Sequence, residues 1–292
     1  MPITLRQLEI FEKVATSGQV TKAGDALLLS QAAVSMALAE LENVTGGPLF
    51  ERLGRRLLLN ERGRLLLPEA REVLRRIKAV EELLCEATDE PVGVLRVGAS
   101  TTIGNYLLPS LMGDFARRYP RAKVLLQVGN TQQIAEAVEI GQLDQGLIEG
   151  PCHANGVENI PWRDDELVVV VGPGHPWAKK RKVDAAMLAE ASWIVREKGS
   201  GTREVFEAAM AAKVAGFTIS LELGHTEAIK KAVEAGLGVS CLSCLAVERE
   251  LDQKWLVAVQ SPLDLRRTLS MVLRKSEYRT RLFNAFIDQL GT

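Results

Sequence analysis

The sequence is short of several things at once. Its 292 residues include four cysteines and three histidines, and aromatics make up 5%. So few thiols exclude a disulfide scaffold in a chain of this length. His153, His175 and His225 lie far apart, and none sits beside a second ligand type at metal-binding spacing. No apolar run approaches the roughly 18 residues needed to cross a bilayer. The opening MPITLRQLEIF lacks the basic start and apolar stretch of an export signal, so a soluble, cytoplasmic protein with no membrane partner is expected. Charge of one sign is missing too. At a net −1, any contact with nucleic acid has to come from local clustering. There is no dinucleotide fingerprint, and no nucleophile–base pair stands at suggestive spacing. Neither a cofactor nor an enzymatic activity is therefore expected.

Apolar residues are not lacking. At 47% they suffice for real cores, and the length suits about two domains. Residues 1–60 read as short helices ending in a hairpin. Residues 61–90 read as one long helix. From Pro91 onward, β-branched strands alternate with helical patterns, the mark of α/β folding.

In the first part, Leu5–Ala15 predicts a helix with Leu8, Phe11 and Val14 or Ala15 inward. A shorter helix near Thr21–Leu28 follows, with Thr21 as a possible cap and Gly24 allowing a close crossing near Val34. LLLSQAAVSMALAELE, Leu27–Glu42, predicts a third helix capped by Ser30. At 100° per residue, Val34, Ala37, Leu38 and Leu41 share one side; Ala32, Ser35, Met36 and Ala39 share the other. Gln31 and Ser35 fall in the N-terminal half, the part of a recognition helix that meets base edges.

That helix has no Lys or Arg and ends on Glu40 and Glu42, an odd composition for an element approaching a polyanion. The basic residues come just after it. LFERLGRRLLLNERGR, Leu49–Arg64, holds Arg52, Arg55, Arg56, Arg62 and Arg64, with Gly54 suited to the tip of a β-hairpin wing. Arginines there can take phosphates while the uncharged helix reads bases. Gln31 suits adenine, and Met36 or Ala32 suits a thymine methyl.

In the long helix, Leu66, Ala70, Val73, Ile77, Val80 and Leu84 form a seam spaced as in a coiled coil, which points to self-association. Asn60 suits its cap, and Pro68 either bends it or marks its start.

These residues, from LRQLEIFEKVATSGQVTKAGDALLLSQAAVSMALAELE through GGPLFERLGRRLLLNERG, resemble the LysR-type transcriptional regulators, and the architecture behind them agrees over the whole chain. The resemblance implies an α plus α/β fold: an N-terminal winged helix-turn-helix (1–60), a linker and dimerisation helix (61–90), and an effector domain (91–292). The last comprises two Rossmann-like subdomains resembling a periplasmic binding protein, 91–162 with 266–292, and 163–265. Chain crossings between them are expected near Pro161-Trp162 and Ser261-Pro262. Double-stranded operator DNA is the implied partner, bound by a homodimer or homotetramer through Thr21, Ser30, Gln31, Ala32, Ser35, Met36, Arg52, Arg55 and Arg56.

Ligands of binding-protein-like folds lie between the two α/β units, at strand ends and helix N-termini. Three hydroxyl-rich stretches stand at such places: Gly98-Ala-Ser-Thr-Thr102, Gly129-Asn-Thr131 and Gly199-Ser-Gly-Thr-Arg203. The last is not a Walker loop, since the Lys-Ser/Thr ending is absent. The effector candidates are Ser100, Thr101, Thr102, Thr131, Ser200, Gly201, Thr202, Arg203 and His225. Backbone N–H groups and neutral hydroxyls at positive helix ends suit an anion. Either helix capping or ligand contact accounts for each stretch alone, and Arg203 can instead pair with Glu204 or Glu207. Glu149 reads first as a structural carboxylate. The run Gly98–Pro109 resembles regulators of carbon fixation and sulfur metabolism, which implies a phosphorylated metabolite, a carboxylate or a sulfur oxyanion. Cys241-Leu-Ser-Cys244 reads as two small thiols beside an apolar strand, with a redox switch as the alternative.

Overall fold

A computed structural model describes residues 3–54, 56–84, 90–180, 182–275 and 279–291. The polypeptide forms two compact units, one built from the N-terminal helices and one from the α/β region.

In the N-terminal unit, α1 (Leu5–Ser17) opens with a reciprocal cap: Gln7 N donates to Thr4 Oγ1 at 3.2 Å, and Thr4 N donates to Gln7 Oε1 at 3.0 Å. It ends at Gly18, whose φ of 67° needs glycine. Leu8, Phe11 and Val14 are buried as their spacing predicts, together with Ile10. Helix α2 spans Val20–Leu27, and its N-cap position is Gln19. Thr21 therefore lies inside the helix, exposed, and does not close its end. The cause is the preceding turn, where Ser17 Oγ bonds to Gln19 O and the helix starts a residue early. A Cβ on Gly24 would lie 2.7 Å from Leu29 O and 3.6 Å from Val34 Cγ2, so glycine there permits the close crossing expected of it.

Helix α3 (Gln31–Val44) follows, then strands β1 (Phe50–Leu53) and β2 (Arg56–Leu59), paired antiparallel with Leu53 opposite Arg56. Gly54, at φ 60°, begins the two-residue turn. Helix α4 (Glu61–Leu84) starts at the cap formed by Asn60, whose Oδ1 accepts from Gly63 N at 2.9 Å. Pro68 lies inside that helix, so it does not mark its start. Leu67 and Ala70 are buried in the core of this unit, with Leu66 packed beside them. Val73, Ile77 and Val80 are exposed, which divides the apolar seam in two; the side chain of Leu84 lies outside the described residues.

The second unit contains β3 (Gly93–Ser100), a π-helical turn (Ile103–Leu107), α5 (Leu108–Arg118), β4 (Ala122–Gly129), α6 (Thr131–Glu139) and β5 (Gln145–Glu149). Strand β6 (Val157–Val171) then leads to α7 (Pro176–Lys180), α8 (Ala185–Glu190), β7 (Ser192–Val195), α9 (Gly201–Ala211) and β8 (Thr218–Glu222). Helix α10 (Thr226–Glu234), β9 (Val239–Ser243), α11 (Cys244–Asp252), β10 (Val257–Val259), β11 (Arg266–Arg274) and α12 (Arg281–Leu290) complete it. Among the described residues one nine-stranded sheet runs β4-β3-β5-β11-β6-β9-β7-β8, with β10 on β6.

Two lobes divide this sheet. In the first, parallel β3, β4 and β5 bury Leu95, Val97 and Leu147 against Phe115, Phe283 and Phe286. In the second, β7 and β9 bury Trp193 and Val239 against Phe206 and Met210, and Ile229 and Val233 of α10 cover the opposite face. The lobes are joined inside two long strands. Strands β6 and β11 pair antiparallel from Val157/Arg274 to Glu166/Arg266. Their register slips between Leu269 and Ser270, leaving Trp162 as the extra residue beside Pro161, with its indole N–H donating to Leu290 O at 3.0 Å. The bulge thus falls at Pro161-Trp162. Beyond Ser261-Pro262, Leu263 and Leu265 pack in the second lobe's core, and β11 from Arg266 pairs with β6 and β5.

Candidate functional site

Two places in the molecule bring the chemistry-bearing residues together. The first is the outer face of α3. Ser30 caps it by accepting from Ala33 N at 3.2 Å. Val34, Leu38 and Leu41 are buried, while Gln31, Ala32, Ser35, Met36 and Ala39 are exposed on the side predicted. Its acidic residues are engaged within the head. Gln7 Nε2 donates to Glu40 Oε2 at 3.1 Å, and Leu49 N donates to Glu42 Oε1 at 2.8 Å. Their negative charge is held by donors of the head's own fold, and the outward face at the N-terminal half is neutral.

On the hairpin, Arg52 and Arg56 are exposed; Arg55 lies outside the described residues. Arg62 has a different duty from the one its neighbours suggest. Its guanidinium donates to Thr45 O and Gly46 O, both at 2.8 Å, where α3 ends. Gly46 and Gly47 in that turn have φ of 82° and 154°, a backbone that favours glycine at both.

The second place is the junction of the two lobes. Ser100 ends β3 and Thr101 and Thr102 follow it; Thr131 opens α6; Ser200, Gly201 and Thr202 open α9. All seven are buried. Glu149, at the end of β5, ties them together: Thr102 N and Thr202 Oγ1 each lie 3.4 Å from its carboxylate, and Thr131 Oγ1 donates to its carbonyl at 2.7 Å. A Cβ on Gly201 would come within 1.6 Å of Glu149 O, so only glycine lets α9 approach β5 this closely. The three hydroxyl-rich stretches therefore meet in one network across the lobes.

Arg267 underlies the network. Its guanidinium sits 2.5 Å from Glu149 Oε2 and 2.7 Å from Asp165 Oδ2, and Nη1 donates to Thr202 Oγ1 at 2.9 Å. Ser243 Oγ donates to Asp165 Oδ1 at 2.9 Å. Burial pushes the Glu149 carboxyl upward. Arg267, the Thr102 donors and Arg196 outweigh that, so its pKa lies below the ordinary value and the group is ionised.

Sequence reasoning missed Arg196, which follows the apolar run Trp193-Ile-Val195. It is 3% exposed, donates to Thr101 Oγ1 and Thr226 Oγ1 at 3.2 Å each, and chelates Glu197 at 2.8 and 2.9 Å. A charged residue directly at the C-terminal end of a buried strand was the available signal. Arg203, by contrast, is held by Glu207 at 2.7 Å and Glu222 at 2.6 Å, and donates to Arg196 O at 3.1 Å. At the start of α10, His225 is exposed and Thr226 is the residue that joins the network. Two hydroxyls in the cleft stand out: Ser100 Oγ and Ser200 Oγ are buried and have no hydrogen-bond partner.

Cys241 and Cys244 are free. Burial pushes both thiols up, and the carboxylates of Glu166 and Asp165 add to the effect at Cys244. Neither has the thiolate character of a reactive cysteine. Among the described residues no single helix is long and apolar enough to cross a membrane.

Comparison with known proteins places both regions. Residues 5–64 match the model of the bacterial regulatory helix-turn-helix protein, lysR family, and residues 88–292 match the LysR substrate binding domain. YeiE of Escherichia coli (strain K12), described as an uncharacterized HTH-type transcriptional regulator, is 43% identical over 289 residues, covering 99% of this chain and 97% of that one. A full-length OxyR variant from Pseudomonas aeruginosa is similar with a TM-score of 0.82 at 26% identity, covering 99% of this chain and 95% of that chain. The CcmR regulatory domain of Synechocystis PCC6803, solved in complex with 2-PG, is similar with a TM-score of 0.63 at 30% identity, covering 68% of this chain and 95% of that chain.

Proposed function

This chain belongs to the LysR family of bacterial transcriptional regulators, and on that footing we propose how its parts divide the work. Residues 1–60 bind double-stranded operator DNA. Residues 61–90 join two copies into a homodimer, from which a tetramer can form. Residues 91–292 bind a small anionic effector between lobes 91–162 with 266–292 and 163–265. The protein works in the cytoplasm, where its DNA is.

In the head, Gln31, Ala32, Ser35 and Met36 meet base edges, with Thr21 and Ser30 beside them. Arg52, Arg55 and Arg56 hold phosphates. Phosphate contacts position the protein, and base contacts specify the site. The exposed Val73, Ile77 and Val80 of α4 support self-association, since an apolar stripe of this kind gains from being covered by a second copy.

One observation carries the effector reading: Ser100 Oγ and Ser200 Oγ, one from each lobe, are buried without partners. A buried hydroxyl without a partner costs about 1–3 kcal/mol, and a ligand oxygen between the lobes would remove that cost twice. Thr101, Thr102, Thr131, Gly201, Thr202 and Thr226 line the same network. Arg196, paired with Glu197, presents N–H donors to Thr101 and Thr226, and Arg203 steadies it through the bond to its carbonyl. Glu149 is ion-paired with Arg267 and poorly placed for acid–base catalysis. Regulation, not turnover, is the reading this supports. The 2-PG bound by the CcmR domain is an anion of the expected kind.

The test is a thermal-shift panel on the full chain with phosphate, sulfate, sulfite, small carboxylates and 2-PG. A ligand at about 100 times its Kd adds about 2.7 kcal/mol of stability. The expected hit shifts wild type, shifts the Ser100→Ala and Ser200→Ala variants much less, and changes binding to the protein's own upstream DNA. Equal shifts in all three proteins would sink the site assignment.

A further inference from the structure

We propose that Tyr106, Glu227 and Lys230 form a latch at the rim of the cleft that holds the two lobes together and thereby sets how tightly the cleft retains its ligand.

Tyr106 lies in the π-helical turn Ile103–Leu107, immediately after Thr101 and Thr102. Such turns are rare and concentrate at functional places. Its hydroxyl donates to Glu227 Oε1 at 2.6 Å. Glu227 follows Thr226 in the first turn of α10, a helix whose other face packs into the second lobe. The bond therefore joins the lobes beside two residues of the cleft network, Thr102 on one side and Thr226 on the other.

The two halves of this contact are unequal. Lys230 Nζ also reaches Glu227 Oε1, at 2.6 Å, and is anchored by Glu250 Oε1 at 2.9 Å and Ala246 O at 3.0 Å, all within the second lobe. It sits 5.5 Å from the centroid of the Tyr106 ring. Lys230 Nζ also donates to the tyrosine oxygen at 3.4 Å. When the lobes part, Lys230, Glu227 and Glu250 keep one another, and the tyrosine hydroxyl exchanges both contacts for water. Glu227 is 63% exposed, so water is at hand. A contact that breaks without stranding a buried charge can open and close. The deeper Glu149–Arg267–Asp165 cluster lacks that property. Burial and Glu227 raise the Tyr106 hydroxyl to about 12, so it remains a donor at neutral pH.

A ligand that needs the closed arrangement binds with an affinity reduced by the fraction of molecules that are closed. Loss of one hydrogen bond to a charged acceptor shifts that balance by about tenfold. The test is amide hydrogen exchange on the full-length wild type, Tyr106→Phe, Glu227→Gln and the double variant, without ligand. In Tyr106→Phe, segments 100–107 and 225–231 are expected to exchange about tenfold faster, with residues 5–64 and 168–171 unchanged. The double variant should exchange no faster than the worse single one. Unchanged exchange, additive effects, or a uniform acceleration through the α/β unit would overturn the latch. The last would mark Tyr106 as a general packing residue.

A second readout rests on the effector reading. With phosphate or sulfate as the probe, Tyr106→Phe should weaken binding by about the same tenfold factor. An anion panel with no hits would sink the effector reading while the exchange result still decides the latch.

Discussion

The reading head and the cleft solve opposite problems with the same residue types. In the head, carboxylates bond within the fold: Glu40 accepts from Gln7 and Glu42 from Leu49, and the outward face at the N-terminal half of α3 is free of charge. In the cleft, Arg267 bridges Glu149 and Asp165 below the surface, and the hydroxyls of Ser100 and Ser200 are buried without a hydrogen-bond partner. A charged side chain conspicuous in a sequence is often committed to its own fold. Here the better pointers to a ligand are small, neutral and easily overlooked.

The comparison breaks most visibly at Arg267. Arg267→Ala leaves Glu149 and Asp165 buried without their counter-charge and should cost about 3–5 kcal/mol, read by urea unfolding. A loss under about 1 kcal/mol would show that the cluster is wetter than the packing implies. In the head, Gln31→Ala should change base preference at one position by about 1–3 kcal/mol. Arg56→Ala should instead weaken binding to all sequences and lower the salt slope by about one. An Arg56 variant that altered preference without altering the slope would reverse the two roles.

Acid sharpens the contrast. The folded pKa of Glu149 lies below its unfolded value near 4.5. Its ionised form therefore contributes stability above that value, and the contribution disappears as pH falls through the lowered folded pKa. Glu149→Gln should flatten the acid limb of a stability–pH curve. The smallest effect is expected at Leu28, which ends α2 at φ 56° with 94% of its surface exposed. Leu28→Gly relieves the left-handed strain and should add roughly 0.5–1 kcal/mol to the melting stability of the head.

Much of this was legible beforehand because periodicity and capping are local. The apolar side of α3, the Ser30 and Asn60 caps, the Gly54 hairpin and the strands of the α/β region follow from nearest-neighbour patterns. The three hydroxyl stretches were visible as strand-to-helix junctions. What could not be read was which charges find each other across long separations. Arg267 reaches Asp165 and Glu149, Arg196 reaches Thr101, and Arg62 closes the end of α3. Nor does composition reveal that Arg203 faces Glu222. Thr21 was misplaced as a cap because the turn at Ser17–Gln19 starts its helix a residue earlier.

The pairing of β6 with β11 has a mechanical meaning. Lobes hung on two separate tethers could swing freely. Here both tethers are zipped into one ribbon, so a change of angle has to be taken up as torsion where the ladder is already broken, at Pro161 and the looped-out Trp162. The indole is pinned to the carbonyl of Leu290, so that pivot is fastened to one lobe and turns against the other. Both connections between the lobes would therefore have to yield together, and neither could move alone.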